Sequence, residues 1–219
     1  MKVSDPNPDK IVQICQTFRM SAELEPLEDD PKRALIASAA IDVFSARGFS
    51  RTSMSHIAEQ ADMSRPALYQ YFQNKGDIFA HAFAALVEQA ADRALAALEA
   101  PGTVAEQLDG FLQNFDGVFW ERTAASPYGE ELLSATSEYA PKAVGIEMKR
   151  IRRALEKYLR RKGGGPRSAA DRARRKGWID ILEFAPRGFK LDRPAVPAYR
   201  RRLTALARSV ASDIETKAS

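Results

Sequence analysis

Cysteine and histidine are almost missing from this chain. It has one Cys, Cys15, and two His, His56 and His81, in 219 residues. A lone Cys forms no internal disulfide and no metal site by itself. No H-E-x-x-H, C-x-x-C, G-x-S-x-G or phosphate-loop pattern occurs, so neither a metal, a cofactor nor a catalytic constellation is expected. The acidic pairs Asp29-Asp30 and Glu130-Glu131 are adjacent in sequence; on a helix they point apart and make no acid/base couple. No run of 18 apolar residues exists, which excludes a membrane-spanning helix. The N-terminus lacks the basic, apolar and small-residue succession of a signal peptide, so a cytoplasmic location is expected. Alternation of period two is absent too, and the expected fold class is all-α.

What is present is helical punctuation and charge. Hydrophobic residues make up 45%, enough for a core, and the formal charge is +4. That total agrees with a polyanionic partner but says little by itself. Its distribution says more. Residues 1–30 hold three basic and seven acidic side chains, with Pro6, Pro8 and Pro26. Most of this reads as a flexible arm, with one short apolar helix at Ile11–Phe18. Residues 142–176 hold fourteen Lys or Arg against three acids. A solvated face, a site for an anionic effector such as an acyl-CoA or phosphate compound, and an accessory nucleic-acid contact are the readings open for this stretch.

Residues 31–76 carry the most specific pattern. Asp30-Pro31 is a helix start, with Asp accepting orphan N–H groups and Pro losing no needed donor. Leu35, Ile36, Ala39, Ala40, Val43 and Phe44 then recur at helical spacing, and Gly48 suits a left-handed end. A second helix is expected from Ser53, with Ile57, Ala58 and Ala61 inward; no Glu or Gln stands three residues on, so no reciprocal capping box is expected. Asp62-Met63-Ser64 makes a turn. Ser64 caps a third helix, Pro66 falls in its first turn, and Leu68 and Phe72 face inward. Two short helices joined by a tight turn, with a polar and aromatic outer face on the second, are how a helix-turn-helix presents a recognition helix.

Thr52-Ser53, Ile57-Ala58, Ser64, Leu68-Tyr69-Gln70-Tyr71-Phe72 and Lys75 stand in an ungapped spacing. On these residues the segment 31–79 resembles the DNA-binding domain of the TetR family of one-component transcriptional regulators. Arg65-Pro66 departs from the residue-then-Gly that many members carry there. The resemblance implies base-edge contacts by Arg65, Pro66, Ala67 and Gln70. It implies phosphate contacts by Thr52, Ser53, Ser55, Tyr69, Tyr71 and Lys75, which set register without reading sequence.

From Asp77 onward the pattern stays helical. Phe79 to Leu98 marks a long helix broken by Pro101-Gly102, and Val104 to Phe119 marks the next. A short segment follows Ser126-Pro127, and another helix runs from Ala143 to about Arg161. Gly163-Gly164-Gly165-Pro166 forces a loop. Helices over Ala169–Phe184 and Pro197–Ile214, separated by Pro186-Arg187-Gly188-Phe189, complete about nine. The expected organisation is an arm over 1–30, a helix-turn-helix domain over 31–76, and an effector-binding and dimerisation domain over 77–219. Phe111, Phe115, Phe119, Trp120, Tyr128 and Met148 are candidates for an effector pocket, or ordinary core. The resemblance implies a homodimer through the last two helices, which points to Trp178, Ile181, Leu182, Phe184, Leu203, Leu206, Val210 and Ile214; burial within one chain is the alternative.

The expected function is a sequence-specific repressor, homodimeric on a palindromic double-stranded operator and released by a small-molecule effector, with no membrane role. A sequence-independent architectural DNA binder and an unrecognised helical enzyme are the other classes.

Overall fold

A computed structural model of the chain describes residues 30–163 and 168–218. The expected arm up to residue 29, with Cys15 and the Ile11–Phe18 helix, lies outside the described residues, as do Gly164, Gly165 and Pro166 of the glycine-rich loop. Among the described residues all regular structure is helical. The elements are α1 (Pro31–Arg47), α2 (Met54–Gln60), α3 (Arg65–Tyr69), α4 (Lys75–Glu99), α5 (Val104–Leu112), a π-helical turn (Gln113–Gly117), α6 (Val118–Ala125), α7 (Gly129–Tyr139), α8 (Pro141–Lys162), α9 (Ala169–Gly188) and α10 (Val196–Ala218). With α5, the π turn and α6 taken as one continuous run, these are nine helices.

The starts follow from local chemistry. Asp30 accepts from the Lys32 N–H at 2.9 Å ahead of Pro31, and Asn74 accepts from the Asp77 N–H at 3.0 Å at the head of α4. Thr103 and Glu106 cap α5 reciprocally. Each bond satisfies an N–H that the first turn leaves without a partner.

Contacts divide the chain into two compact units. The first holds the described residues up to Val87 together with Ala125–Val144; the second holds Glu88–Ala124 and the chain from Gly145 onward. This differs from the boundary expected at residue 76. Helix α7 and its flanks pack with the helix-turn-helix because Leu132 and Ala135 join its core, which Ile36, Phe44, Ile57, Leu68 and Phe79 build.

The second unit is built around Leu108, Leu112, Leu155, Tyr158, Leu182, Tyr199 and Leu203. Its buried polar groups are paired. The Tyr158 hydroxyl donates to Gln107 Oε1 at 2.8 Å, Trp178 Nε1 to Asp213 at 2.7 Å, and the Tyr199 hydroxyl to the Pro186 carbonyl at 3.1 Å.

Two expectations are corrected here. Helix α9 does not stop before Pro186 but runs through it to Gly188. A proline this close to a helix end removes only one donor, and Phe189 N–H still closes onto the Ala185 carbonyl at 3.1 Å. The helix expected from Val104 to Phe119 widens into the π turn at its middle.

Candidate nucleic-acid interface

The candidate surface is built from α2, the turn and α3 in the first unit. Ser53 caps α2 by accepting from the His56 N–H at 3.3 Å, and His56 Nδ1 accepts in return from the Ser53 N–H at 3.3 Å. The reciprocal box, not expected without Glu or Gln, is therefore present with an imidazole as acceptor. Asp62 turns the chain at φ 51°, a conformation that Asp tolerates better than most residues. Met63 N–H returns to the Ala58 carbonyl at 3.0 Å. Ser64 accepts from the Ala67 N–H at 3.3 Å and starts α3.

Helix α3 is anchored from beneath and open above. Leu68 is fully buried and Phe72 nearly so. Arg65, Pro66, Tyr69 and Gln70 are exposed, as is Ser55 on α2, while Ala67 is half-buried. The Tyr69 hydroxyl accepts from the Arg65 guanidinium at 3.3 Å, so the two heads lie together on the outer face. That face offers a guanidinium, a carboxamide, a phenol and an apolar ring within two turns. Such groups read base edges and phosphates.

The other predicted contacts sit differently. Tyr71 is half-buried against the core. Thr52 is 3% exposed, and its hydroxyl donates to the Gly48 carbonyl at 2.7 Å. Lys75 lies beyond the end of α3, on the first turn of α4. Its ammonium donates to the carbonyls of Phe49 at 2.7 Å, Ser50 at 3.0 Å and Thr52 at 2.9 Å. All three of its N–H groups are used, and the charge lies 4.6 Å from the Phe49 ring centre. Ser53 is half-buried at the helix start.

Helix α7 supports the same loop, which the sequence did not signal because the partners are 81 residues apart. Glu131 Oε1 accepts from the Ser50 N–H at 2.5 Å. Burial alone would raise the Glu131 pKa. The Ser50 bonds, with Arg51 and Lys75 nearby, outweigh it and hold the carboxyl below the ordinary glutamate range. Gly48, at φ 77°, leaves room for that carboxylate, which a Cβ would strike. The Arg51 guanidinium lies 4.4 Å from the Tyr128 ring centre. The Tyr139 ring packs on Phe49 at 4.7 Å and over Gly76, where a Cβ would meet it at 2.6 Å.

The second unit contains a cavity of about 100 Å³. Of the pocket candidates, Phe111, Phe115 and Met148 line it. Phe119 stacks edge-on against Phe115 at 5.5 Å. Trp120 is buried against Tyr199 with its Nε1 donating to the Pro194 carbonyl at 3.1 Å. Tyr128 belongs to the first unit. Five cations of the basic stretch, Arg150, Arg152, Arg161, Arg174 and Lys176, are held in ion pairs.

Of the interface candidates, Trp178, Leu182, Leu203, Val210 and Ile214 are buried within the chain and Leu206 packs against that core. Ile181 and Phe184 are 47% and 51% exposed. Among the described residues no cluster of His, Cys, Asp or Glu is placed to hold a metal, and no helix is long and apolar enough to cross a membrane.

Comparison with known proteins agrees with this geometry. Residues 36–82 match the family described as bacterial regulatory proteins, tetR family. The chain is 38% identical over 53 residues to the HTH-type transcriptional activator FasR of Mycolicibacterium smegmatis, across 24% of each chain. It is 32% identical over 78 residues to the fatty acid metabolism regulator protein of Bacillus subtilis, across 36% of this chain and 40% of that one. The matched part thus spans less than half of either relative. In solved structures the fold resembles a protein from Mesorhizobium loti described as a TetR-family transcriptional regulator. That likeness has a TM-score of 0.60 at 18% identity and covers 83% of this chain and 95% of that one.

Proposed function

We propose, on the premise that the chain belongs to the bacterial TetR family of transcriptional regulators, that it is a homodimeric repressor that reads a palindromic operator and leaves it when a small molecule binds. The observation that carries the reading is the outer face of α3. Arg65, Pro66, Tyr69 and Gln70 are exposed on a helix whose opposite side is locked into the core. Arg65, Pro66, Ala67 and Gln70 contact base edges; Tyr69, Ser55 and Ser53 contact phosphates, Tyr71 from the rim. Thr52 and Lys75 act through the loop they hold.

One such face reads half a site. A twofold pair reads two half-sites about one helical turn apart, ~35 Å. The pairing surface is the outward side of α9. Gly177, Ile181, Phe184 and Gly188 recur there at helical spacing, and a Cβ at either glycine would meet nothing within 4 Å. Small residues at such a seam let two helices approach closely. A twofold pair makes that seam self-complementary.

The effector site is the cavity of the second unit. Helices α4 and α8 each begin in the first unit and end in the second, so both run continuously between them. The effector favours a state that does not bind DNA by no more than its differential affinity for the two states. The names of the two curated relatives, one an activator and one tied to fatty acids, make a metabolic target reasonable.

Selection of bound sequences from random duplexes tests the reading. An enriched palindrome with half-sites one turn apart is expected. Tyr69→Ala should weaken its binding several-fold with the dimer intact. Gln70→Ala should relax sequence preference by ~1–3 kcal/mol. Equal recovery of all duplexes would mark an architectural binder instead.

A further inference from the structure

The cavity of the second unit has a mixed lining. Phe111, Phe115, Met148, Ile151, Leu155 and Leu182 contribute apolar surface; Asp116, Arg152, Glu183, Arg187 and Lys190 contribute charge. The π turn presents Phe115 and Asp116 to it, and π-helical widenings occur frequently at functional sites.

The charges of the lining do not cancel. Arg152 is held by Asp180 at 3.0 Å and Glu183 at 2.5 Å, and Lys176 shares Asp180 at 2.6 Å. These two cations and two carboxylates balance. Lys190 pairs with Asp116 at 3.2 Å. That leaves Arg187, whose guanidinium lies 5.1 Å from the Phe184 ring centre, near enough to Asp116 to act on its charge but in no ion pair among the described residues. The lining therefore carries one positive charge in excess, at its exposed rim. Asp116 is half-buried, and its desolvation raises the carboxyl pKa against the pull of Lys190 and Arg187. Lys190 has N–H groups to spare, since Asp116 takes one.

Size narrows the apolar part. An engineered apolar cavity of ~150 Å³ admits benzene. A cavity of about 100 Å³ encloses less, which favours a short apolar body over a long acyl chain.

From this geometry we infer that the cavity binds a short-chain aliphatic carboxylate, its carboxylate on Arg187 and Lys190 and its short apolar body among Phe111, Phe115 and Met148. The inference rests on the cavity being the effector site. It names the class of effector.

Titration calorimetry on the full chain tests it with isovalerate and butanoate, and with butanamide, butylamine and hexadecanoate as contrasts. The two short acids should bind and the contrasts should bind at least tenfold more weakly. Arg187→Gln, a change at an exposed residue, should weaken isovalerate at least tenfold. Met148→Trp should fill the cavity and abolish binding. Equal binding of butanamide or butylamine, an unchanged Arg187→Gln titration, or no binding of either acid would overturn the proposal. The same compounds are then added to the chain on its selected duplex. Isovalerate that binds through Arg187 without releasing the duplex upholds the ligand class and removes the effector reading. Release by a neutral compound that Met148→Trp blocks keeps the effector reading and overturns the ligand class.

Discussion

Lys75 shows how one side chain can serve the proposed DNA-binding surface through the loop it holds. Its ammonium takes three carbonyls of the loop that leads into α2. Hydrogen bonds from a charged donor contribute more than neutral ones. Lys75→Met should therefore destabilise the first unit by about 1–3 kcal/mol and weaken operator binding with it. Lys75→Arg should not restore either, because a planar guanidinium cannot aim three N–H groups at three converging carbonyls. Denaturant unfolding of the variants measures this. A Lys75→Met protein of unchanged stability, with only the salt dependence of binding reduced, would make Lys75 a phosphate contact instead. Thr52 belongs to the same loop, its hydroxyl turned inward to Gly48.

At the scale of the element, α7 acts as a brace for that loop through Glu131. The Glu131 carboxyl is held below its ordinary range in the folded chain. A depressed carboxylate pKa contributes stability above the unfolded value, and that contribution is lost as pH falls through the folded one. The native chain should therefore lose stability more steeply than Glu131→Gln as pH drops from about 5 to 3. The difference should be roughly 1 kcal/mol or less, since solvent screens a partly exposed group. Parallel acid titrations of unfolding check it; identical curves would exclude the brace.

Helix starts were legible in the sequence because a cap is a local event. Asp30 and Ser64 each bond within three residues. The inward stripe was mostly legible for the same reason, although Leu35, spaced to face inward, is half exposed. The His56 cap was missed because the familiar pattern looks for a carboxylate or amide, whereas a neutral imidazole nitrogen also accepts. The run of α9 through Pro186 was missed because a proline costs a helix little near its end. Nothing local announced Glu131 or Tyr139, whose partners are far away along the chain.

At the scale of the molecule, the outer face of α9 and the core of the second unit make opposite forecasts. Phe184 is exposed and Leu203 fully buried. Phe184→Asp should shift sedimentation toward a single chain while leaving the helices folded. Leu203→Ala should cost ~2–5 kcal/mol of stability and leave association unchanged. The reverse pattern would put the pairing surface on α10. Association matters because two half-site readings add, and a specific regulator depends on the margin they create over random DNA.

That margin is the most direct measure of the account. The chain is titrated at one fixed salt concentration against its selected palindrome and against a scrambled duplex of equal length and composition. A specific affinity ~10³-fold or more above the scrambled one is expected, falling when Gln70 or Tyr69 is replaced. Equal affinity for the two duplexes would contradict the assignment of the α3 face to base reading.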